Sequence, residues 1–209
     1  MNGKSIWRDR LYKELAELEL KGSVLDLGGS RNSTYTNNFK GEFSFSVLNL
    51  EVEDDRDIEG NLEEELPIES QIYDHVLAIN VLEHIYNHRE LISETHRILK
   101  INGKATIAVP FLIPFHPSPN DYWRYTETTL ERLFTESGFS DVEVKVIGTG
   151  VFGSVAMMLF NVLHFSVLRW FVKTVATGLD MILNKLARKG TYSGRFYPLG
   201  YLVTATKKA

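Results

Sequence analysis

Ser23-Val-Leu-Asp-Leu27 is a short apolar run that stops at Gly28-Gly29. Such a run reads as a buried strand leaving into a tight turn. Phe43 to Leu50, Tyr73 to Ile79 and Lys104 to Pro110 repeat the pattern. Helical stretches alternate with them. Asn80-Val-Leu-Glu83 has the spacing of a capping box, predicting a helix through about Leu99 that ends at Asn102-Gly103. Thr126 to Ser137 predicts a second helix, stopped by Gly138. Val142 to Ile147 and Tyr201 to Thr206 complete the strands, while residues 30–40 make a weak helix at best. Strands alternating with helices imply an α/β fold: a doubly wound, mostly parallel sheet with helices on both faces.

Composition sets the outer bounds. The 209 residues suit one domain able to bury a core. There is no cysteine, which excludes a disulfide scaffold, thiolate metal sites and a cysteine nucleophile. The remaining His and acidic residues show no metal-ligand spacing, so no metal is expected. A net charge of −4 argues against a general nucleic-acid binder. That total hides two poles. Residues 51–69 hold ten acids and one base, and residues 169–209 hold eight bases and one acid, Asp180. Most of the acidic pole reads as solvated loop.

Four segments follow. Residues 1–22 form an N-terminal helix whose apolar face is Trp7, Leu11, Leu15 and Leu18; charges interrupt it, so it is no signal peptide. Residues 23–150 form the core, 151–190 an apolar helical insertion, and 191–209 carry the final strand of the core.

Asp26-Leu-Gly28-Gly29-Ser30 lies at the carboxyl end of the first strand, where open parallel sheets bind ligands. Glycine lets a ligand approach the backbone. The G-x-G-x-x-G fingerprint and the P-loop are both absent, and an acid before the glycines suits a ligand with a cationic group. Further along come Asn49 and Glu51 ending the second strand, Asp57-Ile-Glu-Gly-Asn61-Leu62 before Leu66-Pro67, Tyr73-Asp74, Asn80-Val-Leu-Glu83-His84, and Arg97-Ile-Leu-Lys100-Ile-Asn-Gly103. In order and spacing, over about residues 23–147, this series resembles the class I S-adenosylmethionine (SAM)-dependent methyltransferases.

The resemblance implies a Rossmann-like fold with an antiparallel final strand at the sheet edge, and SAM as cofactor. It implies that Asp26, Gly28 and Gly29 contact the methionine part and that Asn49 or Glu51 holds the ribose. Asn61 and Leu62 would flank the adenine, and Asn80 would lie near the sulfonium. The chain departs from the family pattern at Ser30, Asn49, Asn61 and Ile101-Asn102.

Phe115-His116-Pro-Ser-Pro-Asn-Asp121-Tyr122-Trp123-Arg124-Tyr125-Thr126 follows the fourth strand. It resembles a segment of methyltransferases from bacterial cell-surface glycan clusters. Tyr122, Trp123, Arg124 and Tyr125 suit a sugar acceptor, by ring stacking and by hydroxyl or phosphate contacts; the aromatics could instead plug the sheet edge. A hydroxyl acceptor needs a proton acceptor with a near-neutral pKa. His116 is the expected base, assisted by Asp121, with His84 as the substitute.

Val151 to Leu168 contains no charged residue; Arg169-Trp170 closes it, and Phe171 to Leu186 is apolar with scattered lysines. A lid or dimer element and an interfacial membrane hairpin both fit. A single span does not, since it would part Tyr201 to Thr206 from its sheet. Arg169, Trp170, Lys173, Lys185, Arg188 and Lys189 suit an anionic membrane surface. The expectation is cytoplasmic SAM-dependent O-methylation of a sugar or lipid-linked glycan intermediate, peripheral to the membrane, by a chain able to form a homodimer. Methylation of a small aromatic or quinone-like lipid, or a non-catalytic SAM-fold scaffold, are the alternatives.

Overall fold

The computed structural model describes residues 5–52, 54–187 and 194–209. Seven strands form one sheet: β1 (Gly22–Leu27), β2 (Phe43–Asn49), β3 (Ile58–Glu59), β4 (Tyr73–Ile79), β5 (Leu99–Pro110), β6 (Phe139–Ile147) and β7 (Gly200–Lys207). Their order is β3-β2-β1-β4-β5-β7-β6. β1 to β5 pair in parallel, and β7 runs antiparallel to both β5 and β6. The last strand is therefore antiparallel, as expected, but it is interior; β6 holds the edge.

Side chains along β4 alternate between two cores. Val76 and Ala78 face one with α2 (His88–Ile98) and α3 (Glu127–Glu136). Leu77 and Ile79 face the other with α1 (Ile6–Leu15), α4 (Val151–Leu159) and α5 (Ser166–Leu186). Period-two burial on both faces is why these strands read as near-continuous apolar runs. In α1, Trp7, Leu11 and Leu15 are buried as their spacing predicts, but the helix ends there and Leu18 is only partly buried.

Two local predictions fail for identifiable reasons. Asn80 does not cap a helix: its φ is +57°, its N–H extends the sheet to the Ala108 carbonyl, and its side-chain oxygen accepts from the Trp7 indole at 3.0 Å. A 3-10 turn over Leu82–His84 follows, and α2 begins only at His88. Glu63, from the acidic stretch, accepts the N–H groups of Tyr86 and Asn87 just before it. Asn102-Gly103 does not end a helix; it lies within β5, with Asn102 at φ +66°. Residues 30–40 contribute only a 3-10 turn, Thr36–Asn38.

The insertion is two helices, α4 and α5. No described helix is long and apolar enough to cross a membrane. Asp180 of α5 is fully buried, and its carboxylate accepts the Thr149 hydroxyl and the N–H groups of Phe152 and Gly153. It thus satisfies orphan donors at the start of α4, where Gly150 offers no side chain.

Candidate functional site

The carboxyl ends of β1, β2, β4 and β5 converge on the loops that carry the predicted residues. Asp26 is fully buried at the end of β1. One carboxyl oxygen accepts the Tyr35 hydroxyl at 2.5 Å; the other is buried without a hydrogen-bond partner. Burial pushes the carboxyl pKa up to about 7, and the Tyr35 bond opposes this only in part. Gly28 (φ +66°) and Gly29 pass directly beneath, and a Cβ on Gly29 would stand 1.9 Å from the Asp26 carboxylate. Only glycine fits there. An orphaned acidic oxygen under a glycine turn is suited to a cationic group.

Asn49 ends β2 and donates to the Gly29 carbonyl at 3.1 Å, while Glu51 lies beyond the strand, exposed. Of the two ribose candidates, the fold thus ties Asn49 to the glycine turn. Asn61 closes its own turn on Glu63 and Glu64, and Leu62 packs beside Gly28. The acidic stretch is more than solvated loop. Asp57 pairs with Arg31 at 2.6 Å and accepts the Val47 N–H, which pins the segment after Gly29 to β2. Glu53, Arg188 and Lys189 lie outside the described residues.

The proline-rich loop folds over the 3-10 turn after β4. The N–H groups of Tyr122 and Trp123 donate to the Glu83 carbonyl. Tyr125 is buried, its hydroxyl donating to the Leu82 carbonyl, and the Trp123 indole donates to the Ile85 carbonyl. These two rings anchor the loop rather than offering a face to a ligand. Tyr122 is exposed and stands edge-on to exposed Tyr86, ring centroids 5.3 Å apart. Arg124 grips Asp121 through both terminal nitrogens, at 2.5 and 2.7 Å. That guanidinium lowers the Asp121 carboxyl to about 2. Asp121 then accepts the backbone N–H of His116 at 3.0 Å.

The ring of His116 is held differently. Its Nδ1 lies 2.9 Å from the Pro114 carbonyl, so Nδ1 carries the proton and Nε2 the lone pair. The carboxylate facing Nε2 is Glu83, at 3.6 Å. His84 is arranged likewise: Nδ1 lies 2.5 Å from the Asn120 carbonyl and Nε2 is 3.6 Å from the same Glu83 oxygen. Glu83 is fully buried, and neither of its carboxyl oxygens has a hydrogen-bond partner. It raises the His116 pKa, against the opposing effect of burial. Asp121 thus anchors the loop and also stands 3.5 Å from His116 Nδ1, while Glu83 is the carboxylate that faces Nε2. Read from sequence as a helix cap, Glu83 gave no signal of this role. Although sequence spacing implied no metal site, the fold brings Glu83, His84 and His116 within 4.8 Å of one another.

His116 also lines a cavity of about 310 Å³ with Asn80, Trp7, Ile113, Met157 and Phe160. Trp7 from α1 was legible only as core; here it borders the site through Asn80.

The family sequence model described as a methyltransferase domain matches residues 2–144. No curated protein sequence matches the chain. Among solved structures, a chain from the complex of the Haloferax volcanii Trm112 methyltransferase activator with a methyltransferase superposes with TM-score 0.60 at 16% identity, covering 97% of this chain and 91% of that one. A SAM-dependent methyltransferase from Archaeoglobus fulgidus gives 0.58 at 17% identity, covering 96% and 92%. Phosphoethanolamine N-methyltransferase 2 of Haemonchus contortus, in complex with S-adenosyl-L-methionine, gives 0.57 at 16% identity, covering 97% of this chain and 53% of that one. The present chain thus spans about half of that enzyme.

Proposed function

The chain belongs to the methyltransferase-domain family, and from that premise we propose that it transfers a methyl group from SAM to an oxygen of a sugar or lipid-linked glycan intermediate. SAM supplies a methyl group on a sulfonium, whose departure as a neutral sulfide drives the displacement. The chain's own residues fit that cofactor. The orphaned Asp26 oxygen matches its ammonium group, the Gly28-Gly29 turn leaves room for it, and Asn49 stands at the ribose position. In this reading Asn61 and Leu62 would flank the adenine, and Asn80 would lie near the sulfonium.

The observation that carries the acceptor assignment is His116, which lines the cavity that Asn80 also lines and whose Nε2 faces Glu83. Methyl transfer needs the nucleophile and methyl group held in near-attack geometry. A hydroxyl nucleophile must also lose a proton, and His116 Nε2 accepts it, with Glu83 stabilising the imidazolium. Tyr122 and Tyr86, both exposed, offer ring surface to a sugar. His116→Ala should leave SAM affinity within about twofold and lower turnover by about 10²-fold or more. Unchanged turnover would remove His116 from the mechanism. A second acceptor class, a small aromatic or quinone-like lipid, is favoured by the apolar cavity walls of Trp7, Ile113, Met157 and Phe160.

The outer face of α5 supports peripheral membrane contact. The helix buries Ala176 and Asp180 inward and exposes Val167, Trp170, Phe171, Met181 and Ile182, with exposed Phe165 just before its start. The basic flank is thinner than the sequence suggested: Lys173 pairs with Asp9, and Arg169 donates to the Leu163 carbonyl and covers the Phe160 ring. Apolar area therefore carries the contact, with Lys185 exposed beside it. Flotation with anionic vesicles tests this. The Trp170→Glu/Met181→Glu double variant should lose binding while melting normally; equal binding would sink the assignment, and a concentration-dependent dimer without vesicle binding would mark a self-association face instead.

A further inference from the structure

We infer that Glu83, His84 and His116 form a binding site for a divalent transition-metal cation of the zinc class, with an open position toward the acceptor cavity. Both imidazoles have their Nδ1 bound to a main-chain carbonyl, Asn120 for His84 and Pro114 for His116. That outer bond fixes the tautomer and aims Nε2 inward, as it does for histidines that ligate metals. The two Nε2 atoms each stand 3.6 Å from the same Glu83 oxygen. Three electron-rich atoms thus converge, and the carboxylate among them is fully buried with both oxygens lacking a hydrogen-bond partner. A buried carboxylate without partners is costly unless a cation or proton completes it. One proton can bridge only one of the two imidazoles to Glu83, leaving the other lone pair facing the carboxylate. One divalent cation answers all three donors.

The dimensions agree. Metal–nitrogen and metal–oxygen bonds of about 2.0–2.1 Å at tetrahedral angles place neighbouring ligand atoms about 3.4 Å apart. The two histidine–Glu83 separations of 3.6 Å need only a small contraction, and all three donor atoms already lie within 4.8 Å of one another. Two imidazoles and a carboxylate suit zinc, cobalt, manganese or iron better than magnesium or calcium, which prefer all-oxygen sites. Three protein ligands leave a position open. Both histidines are partly exposed, His116 more than His84, and His116 is the one of the three that lines the cavity, which puts the open position on that side. Resting on the methyltransferase reading above, the inference adds that an acceptor oxygen is the fourth ligand; in the cation-loaded protein His116 Nε2 is a ligand in place of the base, and the bound hydroxyl, acidified by the cation, gives its proton to solvent water.

The test uses the full chain freed of metal with a chelator and titrated with Zn²⁺ and with Co²⁺ as a coloured probe. One equivalent should bind, with the visible absorption of a four- or five-coordinate cobalt site. His84→Gln and His116→Ala should each weaken binding at least tenfold without changing the melting temperature of the metal-free protein. Glu83→Gln should do the same; if it fails to fold, the two histidine variants decide. No binding at 100-fold excess of either ion, or binding unaffected by both histidine changes, overturns the inference. SAM calorimetry on the same samples keeps the two ideas apart. Cation uptake without SAM binding would count against the methyltransferase reading alone; SAM binding without cation uptake would count against the site alone.

Discussion

Asp26→Asn isolates the energetic consequence of a buried acid. In the folded protein the Asp26 carboxyl ionises at about 7, because burial outweighs its bond from Tyr35. In the unfolded chain it ionises at about 4. Displacement by one pH unit corresponds to about 1.4 kcal/mol, so holding this carboxylate charged costs the fold on the order of 4 kcal/mol. The folded state binds the proton more tightly, so stability falls as pH rises from about 4 to about 7 and levels off above that. Roughly 2.5 kcal/mol of the loss falls between pH 5 and pH 8. The amide of Asn is neutral throughout and keeps an acceptor for Tyr35. Urea unfolding of both proteins at pH 5, 6, 7 and 8, without SAM, reads the difference directly. Other titrating groups cancel in the comparison. The variant's advantage should grow by about 2.5 kcal/mol from pH 5 to pH 8. An advantage constant to within about 0.5 kcal/mol across that range would refute the buried-charge reasoning. SAM affinity should move the opposite way, since the variant lacks the anion proposed to meet the ammonium group.

Other perturbations test separate parts of the structure. Tyr35→Phe removes the hydroxyl that offsets the Asp26 burial; the pH-dependent loss of stability should extend to higher pH, visible as a shifted limb in the melting temperature profile. Asp180→Ala removes three hydrogen bonds from the start of α4 and should destabilise the protein by about 3 kcal/mol in urea unfolding. It should also speed amide exchange in α4 before α2. Trp7→Phe loses the bond to Asn80 and should cost about 1 kcal/mol in the same assay. With the bond gone, SAM calorimetry should report weaker binding if Asn80 needs this support.

Much of the fold was legible because its causes are local. Apolar runs bounded by glycine marked the strands, and Thr126 marked a helix start that holds in the structure, its hydroxyl accepting the Thr129 N–H. Side chains answering distant partners were not legible. Asn80 and Glu83 had the spacing of a capping box, yet one is claimed by Trp7, 73 residues away, and the other faces His116. β3 spans two residues and exists through pairing with Leu48 and Asn49, with no periodicity of its own. The glycine turn was visible as a ligand site from Asp26-Leu-Gly28-Gly29, but Tyr35, which completes it, sat in a stretch with no pattern. The loop from His116 to Tyr125 stood out by composition. Which rings were anchors and which were surface depended on carbonyls of the preceding turn.

The placement of β7 between β5 and β6 has a consequence for how the molecule is made. β7, the last strand of the sheet in sequence order, is sandwiched between two others, and its Lys207 donates to the carbonyls of His96 and Arg97 at the end of α2. Until the ribosome releases those residues, β5 has one bare edge and β6 has no partner at all in the described sheet. During synthesis the nascent chain therefore carries two unpaired strand edges, and such edges invite pairing with other chains. β7 closes the sheet against such pairing, and a variant lacking residues 200–207 would keep those edges open.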